Sequence, residues 1–354
     1  MKLPRITILA TLLLTAPAAA QLQITPPATT PSPPAEKQKA KPPAPAKKKE
    51  AAPAPKPSAS PKPALPATVI PAPPTDNSNV DLVYGAYQRG QYKTAFELAT
   101  ARAQAGDPKA MTMLGELYSN AMGIRRDYAK ALEWYKRAAD AGDREAMFAL
   151  AMLRISGRGG PVDKGEAVKL MASAAKLGEP KAAYNLALLY LDGQTLPQDV
   201  KRSAELLRQA ADAGLPEAQY ALATFYKEGT GVPKDPERAV RLLQAASLTD
   251  NVDAEVEYAI ALFNGTGTPK NQPAAVALLR KASRQGSAIA QNRLAWVLIN
   301  GMGTSVDKVE GFKWHLVAKT AGKGDPELDK QLSDLPAEDR AKAEAAARKW
   351  LGTK

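Results

Sequence analysis

The sequence predicts an all-α solenoid: helix–turn–helix units stacked over residues 77–322, closed by a capping helix at 323–354. Three observations carry this. Glycine returns every 36 residues at Gly106, Gly142, Gly178, Gly214, Gly286 and Gly322, with Asp250 in the remaining place. Alanine and apolar columns keep the same register: Ala110, Ala146, Ala182, Ala218, Ala254 and Ala290, then Leu114, Leu150, Leu186, Leu222, Tyr258 and Leu294. Six consecutive units keep this length without insertion or deletion. A fixed period of this size marks a repeat array in which each unit contacts only its neighbours. Such a stack offers a surface rather than one cleft, which favours binding over turnover.

The elements follow in chain order. Residues 1–20 carry Lys2 and Arg5, an apolar run from Ile6 to Leu14, and Ala18 and Ala20 in A-x-A positions. That pattern predicts a cleaved secretory signal peptide, and the run is far shorter than the roughly 20 residues that span a bilayer. A periplasmic or secreted protein is therefore expected, and not an integral membrane protein. Residues 21–76 form a Pro/Ala/Lys-rich linker, expected to be disordered because it lacks aromatic residues and cannot build a core. Within it, residues 26–75 carry eight lysines against only Glu36 and Glu50, so half of the formal net charge of +12 sits there. Weak contact of this linker with anionic envelope polymers is expected. The solenoid itself is mildly basic and carries no recurring aromatic-and-arginine stripe, which argues against nucleic acid as a partner.

The solenoid opens with a partial repeat at 77–106, followed by full repeats at 107–142, 143–178, 179–214, 215–250, 251–286 and 287–322. Within the second full repeat, Ala146, Leu150 and Leu153 fall at helical spacing, and Ser156-Gly157-Arg158-Gly159-Gly160-Pro161 breaks the helix. Asp163 then caps a second helix and stands at capping-box spacing from Glu166. Ala167, Leu170, Met171 and Ala174 share one face of that helix, and Gly178 ends it. The aspartate recurs as Asp127, Asp163, Asp199, Asp235 and Asp307, with Asn271 in the fifth repeat, so it reads as a row of caps and not of general acids. Trp134 and Trp314 lie in a column with Leu170, Leu206, Leu242 and Leu278 and are expected in the core. After Gly322-Lys323-Gly324-Asp325-Pro326 breaks the register, the alanine-rich stretch ending at Trp350 and Leu351 is expected to cover the last unit.

The first full repeat reads Ala110-x-x-x-Leu114-Gly115-x-x-Tyr118-x-x-Ala121-x-Gly123-Ile124-x-x-Asp127-x-x-Lys130-Ala131-x-x-Trp134-Tyr135-x-x-Ala138-Ala139-x-x-Gly142. This resembles the Sel1-like repeats, relatives of the tetratricopeptide repeats, and Gly229-Thr230-Gly231-Val232-Pro233-Lys234-Asp235 resembles the family's inter-helix turn. The resemblance implies a right-handed superhelix whose concave face is lined by the first helix of each unit. It also implies a scaffold for protein assembly, with regulation of envelope signalling among the roles of similar secreted bacterial proteins.

On such a face two columns vary between units: Met113, Ala149, Asn185, Ala221, Glu257 and Arg293, then Glu116, Met152, Leu188, Thr224, Ile260 and Trp296. Asn185, Glu257, Arg293 and Trp296 are the candidate binding residues, and the resemblance suggests an amide at Asn185 that grips a peptide backbone. The expected partner is a protein or extended peptide, and the expected function is a non-enzymatic scaffold or adaptor of the cell envelope.

Chemistry has little to stand on. His315 is the only histidine and there is no cysteine, so neither a metal site nor a cofactor is expected. A cysteine-rich branch of the resembling family is linked to β-lactams, which makes a cell-wall or β-lactam-reactive enzyme the alternative function. Ser173-x-x-Lys176 and Ser305-x-x-Lys308 match the serine–lysine dyad of such enzymes, but the companion S-D-N and K-T-G elements are missing.

Overall fold

The computed structural model describes residues 78–249 and 251–352. The signal peptide expected at 1–20, the linker at 21–76, and Asp250 of the glycine column lie outside the described residues. Among the described residues there are sixteen α-helices and no strand. The partial repeat supplies α1 (Ser78–Gln88) and α2 (Tyr92–Gln104). The full repeats supply α3 (Pro108–Asn120) and α4 (Tyr128–Asp140), α5 (Arg144–Ser156) and α6 (Lys164–Lys176), α7 (Pro180–Asp192) and α8 (Val200–Asp212). They continue with α9 (Pro216–Glu228) and α10 (Pro236–Ser247), α11 (Val252–Asn264) and α12 (Gln272–Arg284), and α13 (Ala288–Asn300) and α14 (Lys308–Thr320). Each helix packs on the next in order, as an α-solenoid requires.

Polar caps set the helix boundaries. The carboxylates of Asp127, Asp163, Asp199, Asp235 and Asp307, and the amide oxygen of Asn271, each accept the backbone N–H three residues on, as in Asp163 Oδ1 from Glu166 N at 2.8 Å. The reciprocal half of the capping box does not follow. The Glu166 carboxylate pairs instead with Arg154 on α5, 2.8 Å away, where it meets a full positive charge rather than a neutral N–H. First helices end in a left-handed residue, glycine in five units and Ala121 (φ 58°) in the first.

The second glycine of each turn has a different cause. A Cβ on Gly231 would lie 2.7 Å from the Val200 carbonyl oxygen, and Gly123, Gly159, Gly267 and Gly303 likewise abut the first residue of the preceding second helix. Turns therefore stack on helix starts one unit back, and only glycine fits between them. Together with the buried alanines of both helices, this fixes how closely successive units approach.

The core column sits one residue further along than the tryptophans suggested. Tyr135, Met171, Leu207, Leu243, Leu279 and His315 are all buried, whereas in the neighbouring column Trp134, Leu170, Leu242 and Leu278 are only half-buried and Leu206 and Trp314 are buried. The Arg137 guanidinium covers the Trp134 ring at 4.3 Å. One residue turns a helix by about 100°, so adjacent columns face different neighbours and the second is buried less uniformly than the first. Trp314 is buried as expected, because the C-terminal segment covers it.

That cap is two helices and not one: α15 (Pro326–Ser333) and α16 (Ala337–Gly352). Pro336 separates them, since it lacks the N–H that a continuous helix needs. Leu328, Leu335, Ala343 and Ala347 join Phe312, Trp314 and Val317 in the last core cluster. Trp350 meets Trp314 edge-on at 5.0 Å, and Lys313 lies over both rings. No helix among the described residues is long and apolar enough to cross a membrane.

Candidate functional site

Polar bridges tie successive first helices to each other. Tyr87 Oη donates to Glu116 at 2.7 Å from α1 to α3, and Thr112 Oγ1 donates to Asp143 at 3.1 Å across the α3–α5 step. Burial and the nearby Glu116 carboxylate push the Tyr87 phenol upward, so it remains a donor. Lys227 at the end of α9 pairs with Glu257 of α11 at 2.9 Å. These contacts lay the first helices side by side along one face.

An apolar strip runs across that face. Phe148, Met152 and Ile155 on α5, Tyr184, Leu188 and Leu191 on α7, Tyr220 on α9 and Ile260 on α11 are all half-buried. Spacings of three and four residues keep each set on one side of its helix. Where α9, α10 and α11 meet, the strip leads to a cavity of about 210 Å³ lined by Ala239, Val240, Leu243 and Ile260, with Lys227 and Glu257 as polar lining. Small-molecule sites run to roughly 300–1,000 Å³, so this space suits one apolar side chain of a larger partner.

The four residues singled out from sequence fall in three different settings. Asn185 is half-buried and donates from Nδ2 to the Lys181 carbonyl of its own helix at 2.8 Å. Glu257 stands at the cavity, paired with Lys227. Trp296 is half-buried and donates from Nε1 to Asp325 Oδ2 at 3.0 Å. Arg293, expected to line the groove, is instead buried at 1 % exposure. Burial lowers its guanidinium from the ordinary value, while the Asp325 and Glu257 carboxylates act in the opposite direction. Glu257 and Trp296 thus both stand close in charge or contact to the Arg293–Asp325 region, and Asn185 stands apart. Ala221 of the same column is also buried, so this column marks the edge of the interior and the strip beside it is what remains open.

Sequence reasoning missed Lys227, Asn292, Lys323 and Asp325. The last two lie in the segment that breaks register, where no column exists to compare them with. His315 is fully buried, with Nε2 2.9 Å from Asp329 of α15. Lys319 first, and then His315, hold the Asp329 carboxyl below its usual range through hydrogen bonds. Ser173 and Ser305 are both exposed, as are Lys176 and Lys308, so neither dyad sits in an enclosed site. Among the described residues no group of three or more His, Cys, Asp or Glu side chains could hold a metal ion.

The Sel1 repeat family model matches residues 108–143, 144–179, 180–215, 216–248, 252–287 and 288–323, one residue out of phase with the glycine register. The interruption after 248 falls where the array has Asp250 in place of glycine. Among solved structures the chain is similar to a protective antigen present in uropathogenic Escherichia coli strains that displays an SLR fold, at 26 % identity and a TM-score of 0.66. That match covers 77 % of this chain and 60 % of the antigen's, so the chain spans less than two thirds of it. It is also similar in fold to a Sel1 repeat protein from Oxalobacter formigenes, at 24 % identity and a TM-score of 0.57, covering 69 % of this chain and 97 % of that one. No curated protein matches the chain.

Proposed function

This chain belongs to the Sel1 repeat family, and we propose that it is a non-enzymatic scaffold of the bacterial cell envelope that docks a protein or peptide along its first-helix face. Sel1 repeat proteins generally mediate protein–protein interaction, and the observation that carries the reading for this chain is the apolar strip from Phe148 to Ile260. Apolar anchors at the centre of an interface supply most of its binding energy, and a charged rim supplies register and selectivity. The cavity beside Ile260 would take one anchor side chain, and Lys227 and Glu257 would orient the polar atoms around it.

The envelope assignment rests on the signal-peptide pattern at 1–20, and a periplasmic or secreted location follows from it. The lysine-rich stretch at 21–76 would then add weak contact with anionic envelope polymers. Control of an envelope signalling pathway is the specific role proposed for the scaffold. Cross-linking in intact cells followed by mass spectrometry tests the docking face. A partner captured by the wild-type protein is expected to be lost from Leu188→Lys, which places a charge in the middle of the strip. Equal capture by both proteins would move the docking surface elsewhere.

A further inference from the structure

Residues 323–325 lie across α13 in the manner of a bound peptide. Asn292 Nδ2 donates to the Lys323 carbonyl at 3.1 Å, and Trp296 Nε1 donates to Asp325 Oδ2 at 3.0 Å. Between these two side chains on the same helix lies Arg293, buried, with Asp325 and Glu257 as the carboxylates whose charge acts on it. One amide reads a backbone carbonyl and an indole N–H meets the carboxylate, with a buried guanidinium on the same helix between them. Directional donors of this kind select an ionised acceptor over a neutral one.

We infer that Asn292, Arg293 and Trp296 form a carboxylate-recognition station at the C-terminal end of the first-helix face, occupied by the chain's own Lys323-Gly324-Asp325, and that the external ligand competing for it is an extended acidic peptide. This rests on the first-helix face being the docking face and names the chemistry of its partner there.

The internal occupant is lightly held. Helix α15 is eight residues long, and Leu328 is its one buried side chain. Gly322 (φ 73°) precedes the segment and Gly324 lies within it, and together they give the backbone freedom to swing. Beyond the station, α15 is fastened through Asp329 to Lys319 and His315. Helix α16 has its own attachment to α14 through Ala343, Ala347 and Trp350, so α15 can leave while α16 stays. Asp325 has two separate roles, because its Oδ1 caps α15 by accepting Glu327 N at 2.9 Å while Oδ2 meets Trp296. An asparagine at 325 keeps a capping oxygen and removes the charge.

The experiment uses the full chain and a fluorescein-labelled peptide with the sequence of residues 323–329. The Asp325→Asn protein is expected to bind this peptide at least tenfold tighter than the wild type, whose own carboxylate competes. Adding Trp296→Phe to Asp325→Asn should abolish the gain, and a peptide with its acidic side chains replaced by amides should bind neither protein. Hydrogen exchange at 326–333 should quicken in Asp325→Asn while α16 amides keep their protection. Equal affinity of wild type and Asp325→Asn, indifference to peptide charge, or joint opening of α15 and α16 would each overturn the station. The docking face is judged separately: loss of partner capture by Leu188→Lys with no effect of Asp325→Asn leaves that face standing and removes only this inference.

Discussion

The first-helix face is open at its middle and covered at its end, although both regions are built from the same columns. Ile260 and Trp296 occupy equivalent positions 36 residues apart, yet Ile260 lines a cavity and Trp296 is bonded to the cap. Glu257 and Arg293 are likewise equivalent, and one is paired with a lysine at the cavity while the other is buried. A repeat column therefore fixes where a side chain points but not what meets it. What meets it depends on the next unit, and at the end of the array the next unit is an irregular pair of helices.

The largest expected effect separates these regions by stability. Phe312 is 1 % exposed beneath the cap, and Phe312→Ala should cost about 3–5 kcal/mol. Leu188 is half-buried on the open strip, and Leu188→Ala should cost about 1 kcal/mol, since much of its side chain never leaves water. Urea unfolding of both variants measures the difference. If Leu188→Ala proves as costly as Phe312→Ala, the strip is interior and the contrast between middle and end collapses.

A smaller effect comes from the ion pairs of the two regions. At the covered end, Glu310 accepts both Arg280 Nη1 bonds at 2.7 and 2.8 Å and a further bond from Trp314 Nε1 at 3.2 Å. Burial alone would push its carboxyl up, but the bonds from Arg280 and Trp314 outweigh that and hold it below the ordinary value. Glu310→Gln is therefore expected to cost about 1 kcal/mol, toward the upper end for surface pairs. Lys227→Met at the open cavity should cost about 0.5 kcal/mol or less, because Lys227 is 46 % exposed and water replaces its partner. Equal costs in denaturant unfolding would mean that the Lys227–Glu257 pair is structural, and its proposed role at a docking surface would lose its basis.

Most of the fold was legible because periodicity is a property of the chain itself. The glycine and alanine columns, the aspartate caps and the turn glycines each reflect a local backbone requirement repeated in every unit. Ala121 shows how far the pattern reaches, since it takes the left-handed geometry that glycine supplies elsewhere. The candidate site was legible only in part. Asn185 and Glu257 sit on α7 and α11, whereas Arg293 is buried and the residues on either side of it on α13, Asn292 and Trp296, bond to a segment at 323–325 that obeys no column. The split of the cap into α15 and α16 was written in Pro336, yet the alanine-rich composition after it masked the break. The apolar strip was distributed over three columns, and none of them is uniformly apolar.

The smallest expected effect concerns acid. Asp329 is held below its usual range by Lys319 and His315, so its folded value lies beneath the unfolded one. Its contribution to holding α15 is complete above about pH 4, near the unfolded carboxyl value, and disappears as the pH falls through the depressed folded value. Asp329 is 37 % exposed, which screens the interaction and keeps the effect modest. The melting temperature of Asp329→Asn should therefore lie below that of the wild type at pH 6, and the gap should close between pH 4 and pH 2. A gap that persists unchanged through that range would mean that α15 is held by Leu328 and its backbone alone. The covered end would then be a permanent closure, with no acid-sensitive fastening to distinguish it from the rest of the solenoid.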